Sequence, residues 1–336
     1  MEKYSYFVGI DISKAHLDYC IRNAKGKLDF QRLPNTATGI KEAVKWMRSF
    51  EGFRIRESLV CLEHTGIYGL TAKEGLHAKG FAVWQEVAAC IKNGSGSLNR
   101  GKSDKVDAGR IADYAFNFQA NSRLWVPPRK ELSLLKDLMA SRERLKAVVA
   151  KLAVPINEIK AFKAKGHYEA VRAASSKTLA AARKDLKAVE VDIMKVVNGD
   201  PEFKRLYRII TSVRGVGFVT ATALIVATNE FKDISDPRKL ACHAGCAPFD
   251  HSSGSSVRGR SKVSHKADKH LKSLLHLCAM SAIQGQGEFA IYYERRVKEG
   301  KNKFVIINAV RNKIIHRVCA CVRDNREYTK FPHQPA

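Results

Sequence analysis

Residues 6–11 read YFVGID, a run of β-branched and aromatic residues that ends in a carboxylate. A run of this composition predicts a short buried strand. Two further short strands are predicted at Leu17–Arg22 and Leu28–Leu33. The chain is therefore expected to begin with a meander of three strands, the first of which ends at Asp11.

Helices are predicted to alternate with strands after this meander. Apolar periodicity indicates a helix at Gly39–Phe50 and a buried strand at Ser58–Leu62. After the turn residues Thr65-Gly66, an amphipathic segment runs to Lys79 and precedes the apolar strand Phe81–Val87. Three strands, helix, strand, helix, strand is the element order of a ribonuclease-H-like α/β core.

The remainder of the chain is predicted to be mainly helical. Asp104–Phe118 has helical periodicity. Residues 130–197 are rich in Ala, Leu, Lys, Arg and Glu, which predicts long helices interrupted only near Pro155 and Lys165-Gly166. Turn residues at 198–201 mark a boundary, and after it we expect short helices around two Gly-rich loops.

A chain of 336 residues exceeds the size at which one hydrophobic core usually stops growing, so more than one domain is expected. We expect an α/β domain at residues 1–128. A long helical or coiled-coil region at 129–198 would mediate self-association, with a plain helical bundle as the alternative. A mainly α-helical domain would follow at 199–330.

The charge of the chain points to a polyanionic partner. Lys and Arg number 59 against 33 Asp and Glu, which gives a formal net charge of +26. Such an excess repels itself unless a polyanion neutralises it, and nucleic acid is the leading candidate. A basic membrane-surface protein or a ribosome-associated protein is the alternative, but the basic residues are spread along the whole chain rather than gathered in one tail.

No stretch approaches the roughly 18 uninterrupted apolar residues of a membrane span, and residues 1–10 lack the apolar core of a signal peptide. We therefore expect a cytoplasmic protein without a membrane partner. The eight cysteines show no C-x-x-C spacing, which predicts reduced and mostly buried thiols.

Four acidic residues stand at positions that suggest one site. Asp11 ends the first strand and Glu63 ends the fourth, and neighbouring strands of the inferred fold end at the same edge. Asp104 and Asp107 are three residues apart, so both lie on one face of the next helix. If that helix packs across the strand ends, the four carboxylates share one pocket.

Carboxylates held together repel one another unless cations neutralise them, and sites of oxygen ligands suit Mg²⁺ or Mn²⁺. A pair of such ions orients a phosphodiester and stabilises charge on the attacking and leaving oxygens. The alternative is that these residues are surface acids or helix caps, since Asp104 also suits an N-cap position.

Five short motifs resemble those of a known family. VGIDISK at 8–14, LEHTGIY at 62–68 and KSDKVDA at 102–108 resemble the three acidic motifs of the DEDD transposases of insertion-sequence family one-hundred-and-ten, which have a RuvC-like domain. SVRGVG at 212–217 resembles the family's helix-hairpin-helix-like turn, and HSSGSSVRG at 251–259 its carboxy-terminal serine motif. The motifs occur in family order and span nearly the whole chain.

The resemblance implies the roles of particular residues and partners. It implies that Asp11, Glu63, Asp104 and Asp107 bind the metals, and that Ser253, immediately before the first glycine of the late motif, is the nucleophile. It also implies a bridge RNA that pairs with donor and target DNA, and assembly as a tetramer. Two departures matter: a second serine, Ser252, precedes Ser253, and Arg214 stands where hairpin turns of this type often have proline.

The physical chemistry of the serine motif leaves two interpretations. A serine hydroxyl is a weak nucleophile and needs a base or a metal to help its proton leave. Gly254 and Gly259 permit a close backbone approach, and three cations near them would neutralise a phosphate: Arg258, Arg260 and Lys262. The residues alone favour a loop that grips the DNA backbone without bonding to it, whereas the resemblance favours the nucleophile.

Other nucleic-acid contacts are predicted at two places. One is the basic segment before and at the start of the helix at 104–118, with Arg100, Lys102 and Lys105. The other is the turn at Gly215 and Gly217, where backbone N–H groups would face a phosphate, or which is simply a tight turn between packed helices.

We therefore predict an RNA-guided insertion-sequence transposase or recombinase that joins donor and target DNA through a phosphoserine intermediate. One alternative is a RuvC-like metal-dependent nuclease or junction resolvase, which activates water and needs no serine. Another is a non-enzymatic nucleic-acid-binding protein, for which charge suffices and four convergent acids are a liability.

Overall fold

The computed structural model describes residues 4–94, 103–253, 257–263 and 267–329, with the backbone alone for residues 249–253 and 257–262. The chain divides into two compact units, Met1–Pro127 and Pro128–Ala336. The first contains a mixed α/β sheet and the second is mostly helical.

The first unit contains one five-stranded sheet with the strand order β3-β2-β1-β4-β5. Strands β2 and β3 form an antiparallel meander with β1, whereas β4 and β5 run parallel to β1. The carboxyl ends of β1, β4 and β5 therefore lie at one edge. The strands are β1 (Tyr6–Ile12), β2 (His16–Asn23), β3 (Gly26–Pro34), β4 (Ser58–Glu63) and β5 (Ala82–Glu86).

Helices cover both faces of this sheet, which explains why its central strands are apolar along their whole length. Val8 and Ile10 pack into a core with residues of the first two helices, while Phe7 packs on the opposite face with Ile111 and Tyr114 of the fourth. The helices are α1 (Ala37–Arg48), α2 (Leu70–His77), α3 (Ala88–Gly94) and α4 (Asp104–Asn117). The predicted element order is confirmed, and element ends agree within a few residues except at the start of α2.

The second unit begins with two long helices that pack along each other, α5 (Lys130–Phe162) and α6 (Lys165–Gly199). The prediction of long helices at 130–197 is confirmed, and the break falls near Lys165-Gly166. The expectation of an interruption at Pro155 is wrong, because Pro155 lies inside α5. Packing of α5 against α6 holds the helix together although proline removes one backbone hydrogen bond.

A single hydrophobic core joins most of the remaining helices. They are α7 (Pro201–Ser212), α8 (Phe218–Ala227), α9 (Pro237–His243), α10 (Lys269–Ile283), α11 (Glu288–Lys298) and α12 (Lys303–Arg323). The expectation of short helices alone needs two corrections. Helix α12 has 21 residues, and the serine motif lies in a two-stranded antiparallel hairpin, β6 (Pro248–Ser253) and β7 (Val257–Val263).

All eight cysteines are free thiols and six of them are buried, which confirms the prediction for this residue type. Among the residues that the structure describes, no helix is both long and apolar enough to cross a membrane.

Candidate active site at the carboxyl edge of the sheet

Helix α4 lies directly on strand β1 because residue 9 is glycine. A Cβ atom on Gly9 would lie 2.2 Å from the carbonyl oxygen of Ala108 and 2.3 Å from the backbone nitrogen of Ala112. Any side chain there would push α4 away from the sheet. Asp11 lies two residues further along β1 on the same face of the sheet, so this close contact sets Asp11 beside the first turn of α4.

Three of the four predicted carboxylates come together at this edge. Asp11 is near the end of β1, Glu63 ends β4, and Asp107 lies in the first turn of α4. Burial and the negative charge of Asp107 raise the pKa of Asp11 above its usual range. Burial and the charge of Asp11 likewise raise the pKa of Glu63. The three side chains therefore repel one another in a partly desolvated place.

Asp104 is placed differently. Its carboxylate forms an ion pair of 2.5 Å with Arg32 of β3, and the same guanidinium lies 2.8 Å from Asp18 of β2. The Asp104 and Arg32 side chains are both more than half exposed, at 58% and 54%. The helix cap is Ser103, whose hydroxyl accepts the N–H of Val106, so the interpretation of Asp104 as the N-cap is wrong.

The donor set suits a divalent cation, although the ligands are not assembled. Carboxylate oxygens are the ligands that Mg²⁺ and Mn²⁺ prefer, and the repulsion at Asp11 and Glu63 is of the kind that a cation relieves. Asp107, however, is paired with Arg110 at 2.9 Å. In the described part of the chain, no three His, Cys, Asp or Glu side chains lie close enough together to hold a metal ion. The arginine pairs of Asp104 and Asp107 would have to open for all four residues to bind one.

A fifth carboxylate at this edge, Glu86, was not among the predicted residues. Glu86 ends β5 and pairs in register with Glu63 of β4, so both side chains lie on the same face of the sheet. One carboxylate oxygen accepts the backbone N–H of Val87 at 2.7 Å, and the other is 3.5 Å from the Tyr114 hydroxyl. Its position in the sequence could have identified it, because Glu86 lies at the end of a predicted parallel strand, as Glu63 does.

The serine motif lies at the tip of the β6–β7 hairpin in the second unit. Ser253 is the last residue of β6 and pairs in register with Val257, and Ser252 pairs with Arg258. Gly254 lies outside the described residues. The remaining residues of the predicted phosphate-binding set, all on β7, are Arg258, Gly259, Arg260 and Lys262.

The predicted basic contacts near α4 are only partly described. Lys105 lies in the first turn of α4, and its Nζ is 4.6 Å from the centre of the Phe30 ring. That contact covers the aromatic ring on β3 with a cation whose charge remains available to solvent. Arg100 and Lys102 lie outside the described residues, so their predicted role remains a prediction.

The glycines of the turn between α7 and α8 differ in their surroundings. Gly215 has a φ of 86°, and a Cβ on it would lie 2.4 Å from the carbonyl oxygen of Cys278. This residue therefore allows the turn to pack on α10. Gly217, in contrast, faces open space at the start of α8. The geometry explains the first glycine by packing, and phosphate binding by the turn stays a prediction.

Two family models match the chain. Residues 8–160 match the DEDD transposase model of the IS110 type, described as a transposase. Residues 207–294 match the model described as transposase IS116/IS110/IS902 family. Together they span more than two thirds of the chain and include both the acidic edge and the serine hairpin.

Curated relatives show the same relationship along the whole chain. A pilin gene-inverting protein of Moraxella bovis is 25% identical over 332 residues, which cover 98% of this chain and 99% of that protein. Its counterpart in Moraxella lacunata is 24% identical over the same length. An uncharacterized 43.6 kDa protein of insertion element IS110 from Streptomyces coelicolor is 27% identical over 151 residues, 45% of this chain and 36% of that protein.

Fold, acidic edge and family models define the class of this protein as a transposase, an enzyme that cuts and rejoins DNA. Its partner is accordingly DNA, in agreement with the basic composition. Within that class, the chain belongs to the IS110 family. DEDD transposases generally depend on a divalent metal, and the residue types at the carboxyl edge fit that requirement.

Proposed function

We propose that this transposase is an RNA-guided recombinase that joins donor and target DNA through a covalent intermediate on Ser253. The amino-terminal unit acts in this proposal as a RuvC-like domain, in which Asp11, Glu63, Asp104 and Asp107 bind Mg²⁺ or Mn²⁺. The long helices at 129–198 mediate assembly, the residues at 199–330 form the domain with the serine motif, and the protein acts in the cytoplasm, where its DNA lies.

One observation supports this proposal most strongly, the mutual repulsion of Asp11, Glu63 and Asp107 at the carboxyl edge of the sheet. Burial and neighbouring charge raise the pKa of Asp11 and of Glu63. If Asp11 and Glu63 were needed only for stability, each would be expected to pair with a cation, as Asp107 pairs with Arg110. When bound, a divalent cation there would neutralise the carboxylates and stabilise charge on phosphodiester oxygens.

The serine hairpin supplies the chemistry that distinguishes a recombinase from a nuclease. Attack by the Ser253 oxygen forms an oxygen–phosphorus bond while the bond from phosphorus to the leaving DNA strand breaks. The hydroxyl proton passes to a base, and the leaving strand keeps the bonding electrons. A DNA hydroxyl then attacks the phosphoserine in reverse, which restores the serine and reseals a strand.

Rejoining is also favoured by the relatives in Moraxella. Those proteins are described as inverting a pilin gene, and inversion of a segment requires every cut end to be joined again. A water-activating resolvase leaves hydrolysed ends instead. The similarity of this chain to them extends over 98% of its length, and the same overall reaction type is therefore proposed here.

The proposed RNA partner and the tetramer come from the resemblance of the five motifs to family one-hundred-and-ten. The charge of +26 is compatible with two nucleic acids bound at once. If RNA supplies the sequence specificity by base pairing, protein purified without RNA should not recombine at the correct site. Sequencing the RNA that copurifies, and recombination assays with and without it, test this part. Correct-site recombination by RNA-free protein would refute it.

The serine assignment is tested on a denaturing gel with end-labelled DNA, Mg²⁺ and each variant. Ser253→Ala is expected to bind DNA but form no protein–DNA adduct, whereas the matched control Ser252→Ala still forms one. An adduct that persists in Ser253→Ala and is absent in Ser252→Ala would assign the nucleophile to Ser252 instead. No adduct from the unmodified protein under recombining conditions would favour the water-activating nuclease.

A further inference from the structure

Arginine side chains in the second unit that are at least partly buried are almost all bonded to oxygen atoms. The partners are carboxylates or a main-chain carbonyl, as expected for a charge removed from water. The bonds run from Arg129 to Asp200 and Glu230, from Arg142 to Glu143 and Glu190, from Arg205 to Glu202, from Arg214 to the carbonyl of Gln286, from Arg296 to Glu299 and from Arg317 to Glu288.

Arg311 of α12 is the exception among those whose surroundings the structure describes. Its side chain is partly buried, and its Nε is shielded from solvent without a hydrogen-bond acceptor. No carboxylate in the described ranges forms an ion pair with it. A buried donor without an acceptor destabilises the folded protein, and more strongly when the group is charged. A position with that cost is explained if an anion outside the chain completes it.

The place of Arg311 in the fold connects it to the serine hairpin. One turn earlier on α12, the Asn308 side-chain amide donates to the carbonyl oxygen of Cys246 at 2.9 Å. Cys246 precedes the first residue of β6, Pro248, by only two positions. This hydrogen bond connects α12 to residues 245–248, the segment through which the chain enters β6 and which we call the root of the hairpin. Strand β6 ends in Ser253.

A second cation approaches the same root from α10. The Nζ of Lys272 lies 3.9 Å from the position that a Cβ on Gly245 would occupy, and Gly245 has a φ of 61°. Burial raises the pKa of the Cys246 thiol, and the positive charges of Arg311 and Lys272 oppose that rise. In the described ranges Lys272, like Arg311, forms no ion pair, so two uncompensated cations flank one short segment.

We propose that Arg311 and Lys272 form an anion seat at the root of the β6–β7 hairpin and hold a phosphodiester of the nucleic-acid backbone there. The planar guanidinium fork matches phosphate oxygens, and the ammonium adds a second positive charge. This proposal rests on the proposed function in one respect. We assign the bound phosphate to the DNA strand that the serine of the hairpin attacks. The site itself contains none of the metal-binding carboxylates.

The test compares full-length variants for nucleic-acid affinity over a range of salt concentrations. Arg311→Met and Lys272→Met are each expected to weaken binding about tenfold and to reduce the slope of log affinity against log salt by about 0.9 on duplex DNA, or about 0.7 on a single strand. Arg323→Met is the matched control, because that exposed arginine of α12 is already paired with Asp324 at 2.9 Å. It should leave the slope unchanged.

Thermal unfolding of the free protein separates an anion seat from a structural role. Removing an unsatisfied charge should leave the melting temperature of Arg311→Met equal to or above that of the unmodified protein, whereas a structural arginine would lower it. Arg311→Lys, which keeps the charge, should retain most of the salt slope. If Arg311→Met does not fold, the two single variants Arg311→Lys and Lys272→Met still test whether these cations bind a phosphate.

Unchanged slopes in Arg311→Met and Lys272→Met would overturn the anion seat, as would a lowered melting temperature with an intact slope. Separate arms with duplex DNA and single-stranded RNA identify which backbone is held. Ser253→Ala should show the full salt slope, because binding does not require the nucleophile. Loss of the adduct in that variant tests the proposed function, and loss of the slope in Arg311→Met tests the seat, so either can fail alone.

Discussion

Carboxylates at the carboxyl edge of the first unit and carboxylates in the core of the second unit have opposite electrostatic surroundings. In the second unit, Arg129 lies 2.7 Å from Asp200 and 2.7 Å from Glu230, whose side chain is fully buried. The hydrogen bond from Arg129 holds the pKa of Asp200 below its usual range. In the first unit, burial and neighbouring negative charge raise the pKa of Asp11 and of Glu63 instead.

This difference separates carboxylates that are paired with arginine inside the fold from Asp11 and Glu63, which we propose bind a divalent cation. The arginine-bridged cluster of Arg129, Asp200 and Glu230 connects the start of α5, the N-cap of α7 and the turn after α8. That turn contains three consecutive non-glycine residues with positive φ, at 50°, 60° and 62°, of which Glu230 is the middle one. Such backbone is unfavourable by roughly 1–2 kcal/mol per residue, and the bonds to Glu230 help to hold it.

The strongest test of this comparison removes a carboxylate from the acidic edge. Asp11→Asn should lower recombination by more than about 100-fold, since residues that merely orient metal ligands already contribute 10–100-fold. Its free energy of unfolding should stay equal or rise, because repulsion is relieved. Activity and urea denaturation are measured together, with Asp113→Asn as control, an α4 carboxylate already paired with Arg22 and Lys27. Full activity in Asp11→Asn contradicts the metal-site proposal.

The converse test breaks the arginine-bridged cluster. Arg129→Met should lower the free energy of unfolding by about 3 kcal/mol, because Glu230 is left in the core with Lys232 as its remaining partner, 3.1 Å away. Arg205→Met is the matched control, since its i,i+3 pair with Glu202 is partly exposed and is expected to contribute less than about 1 kcal/mol. Equal effects of the two substitutions in urea denaturation would show that the bonds from Arg129 to Asp200 and Glu230 stabilise the second unit no more than a partly exposed ion pair does.

A third test concerns the contact that assembles the acidic edge. Gly9→Ala should lower the free energy of unfolding by about 2 kcal/mol, because the added methyl group meets the backbone of α4 and the helix must shift. The shift also separates Asp107 from Asp11, so recombination should fall with it. Gly166→Ala is the control, since a Cβ there meets nothing within 4 Å and alanine favours the helix. A Gly9→Ala variant with unchanged stability and activity would mean that close packing of α4 is not required.

Sequence patterns predicted the first unit well, because its central strands are short buried apolar runs and helix α1 has one clear apolar face. The same patterns placed Asp11 and Glu63 at one edge, since parallel strands end there, and placed Asp107 in the first turn of the following helix. They did not show that Arg32 pairs with Asp104, because that contact joins β3 to α4 across 72 residues of sequence. The β6–β7 hairpin was also missed, since its Ser, Gly and Arg residues lack the apolar alternation that marks a strand.

The smallest expected effect is the acid sensitivity of the arginine-bridged cluster. Asp200 has a lowered pKa in the folded protein, so its contribution to stability is complete above the ordinary Asp pKa of about 3.9 and is lost as the pH falls through the folded value. The difference in unfolding free energy between the unmodified protein and Asp200→Asn should therefore be constant near neutral pH. Below about pH 4 it should shrink by at most about 1.4 kcal/mol per pH unit. Urea denaturation between pH 7 and about pH 3 measures it.

In an Arg129→Met background, where the main cause of the lowered pKa is gone, Asp200→Asn should produce little acid-dependent difference. A difference that keeps the same size in both backgrounds would show that Arg129 does not hold Asp200 in its charged form.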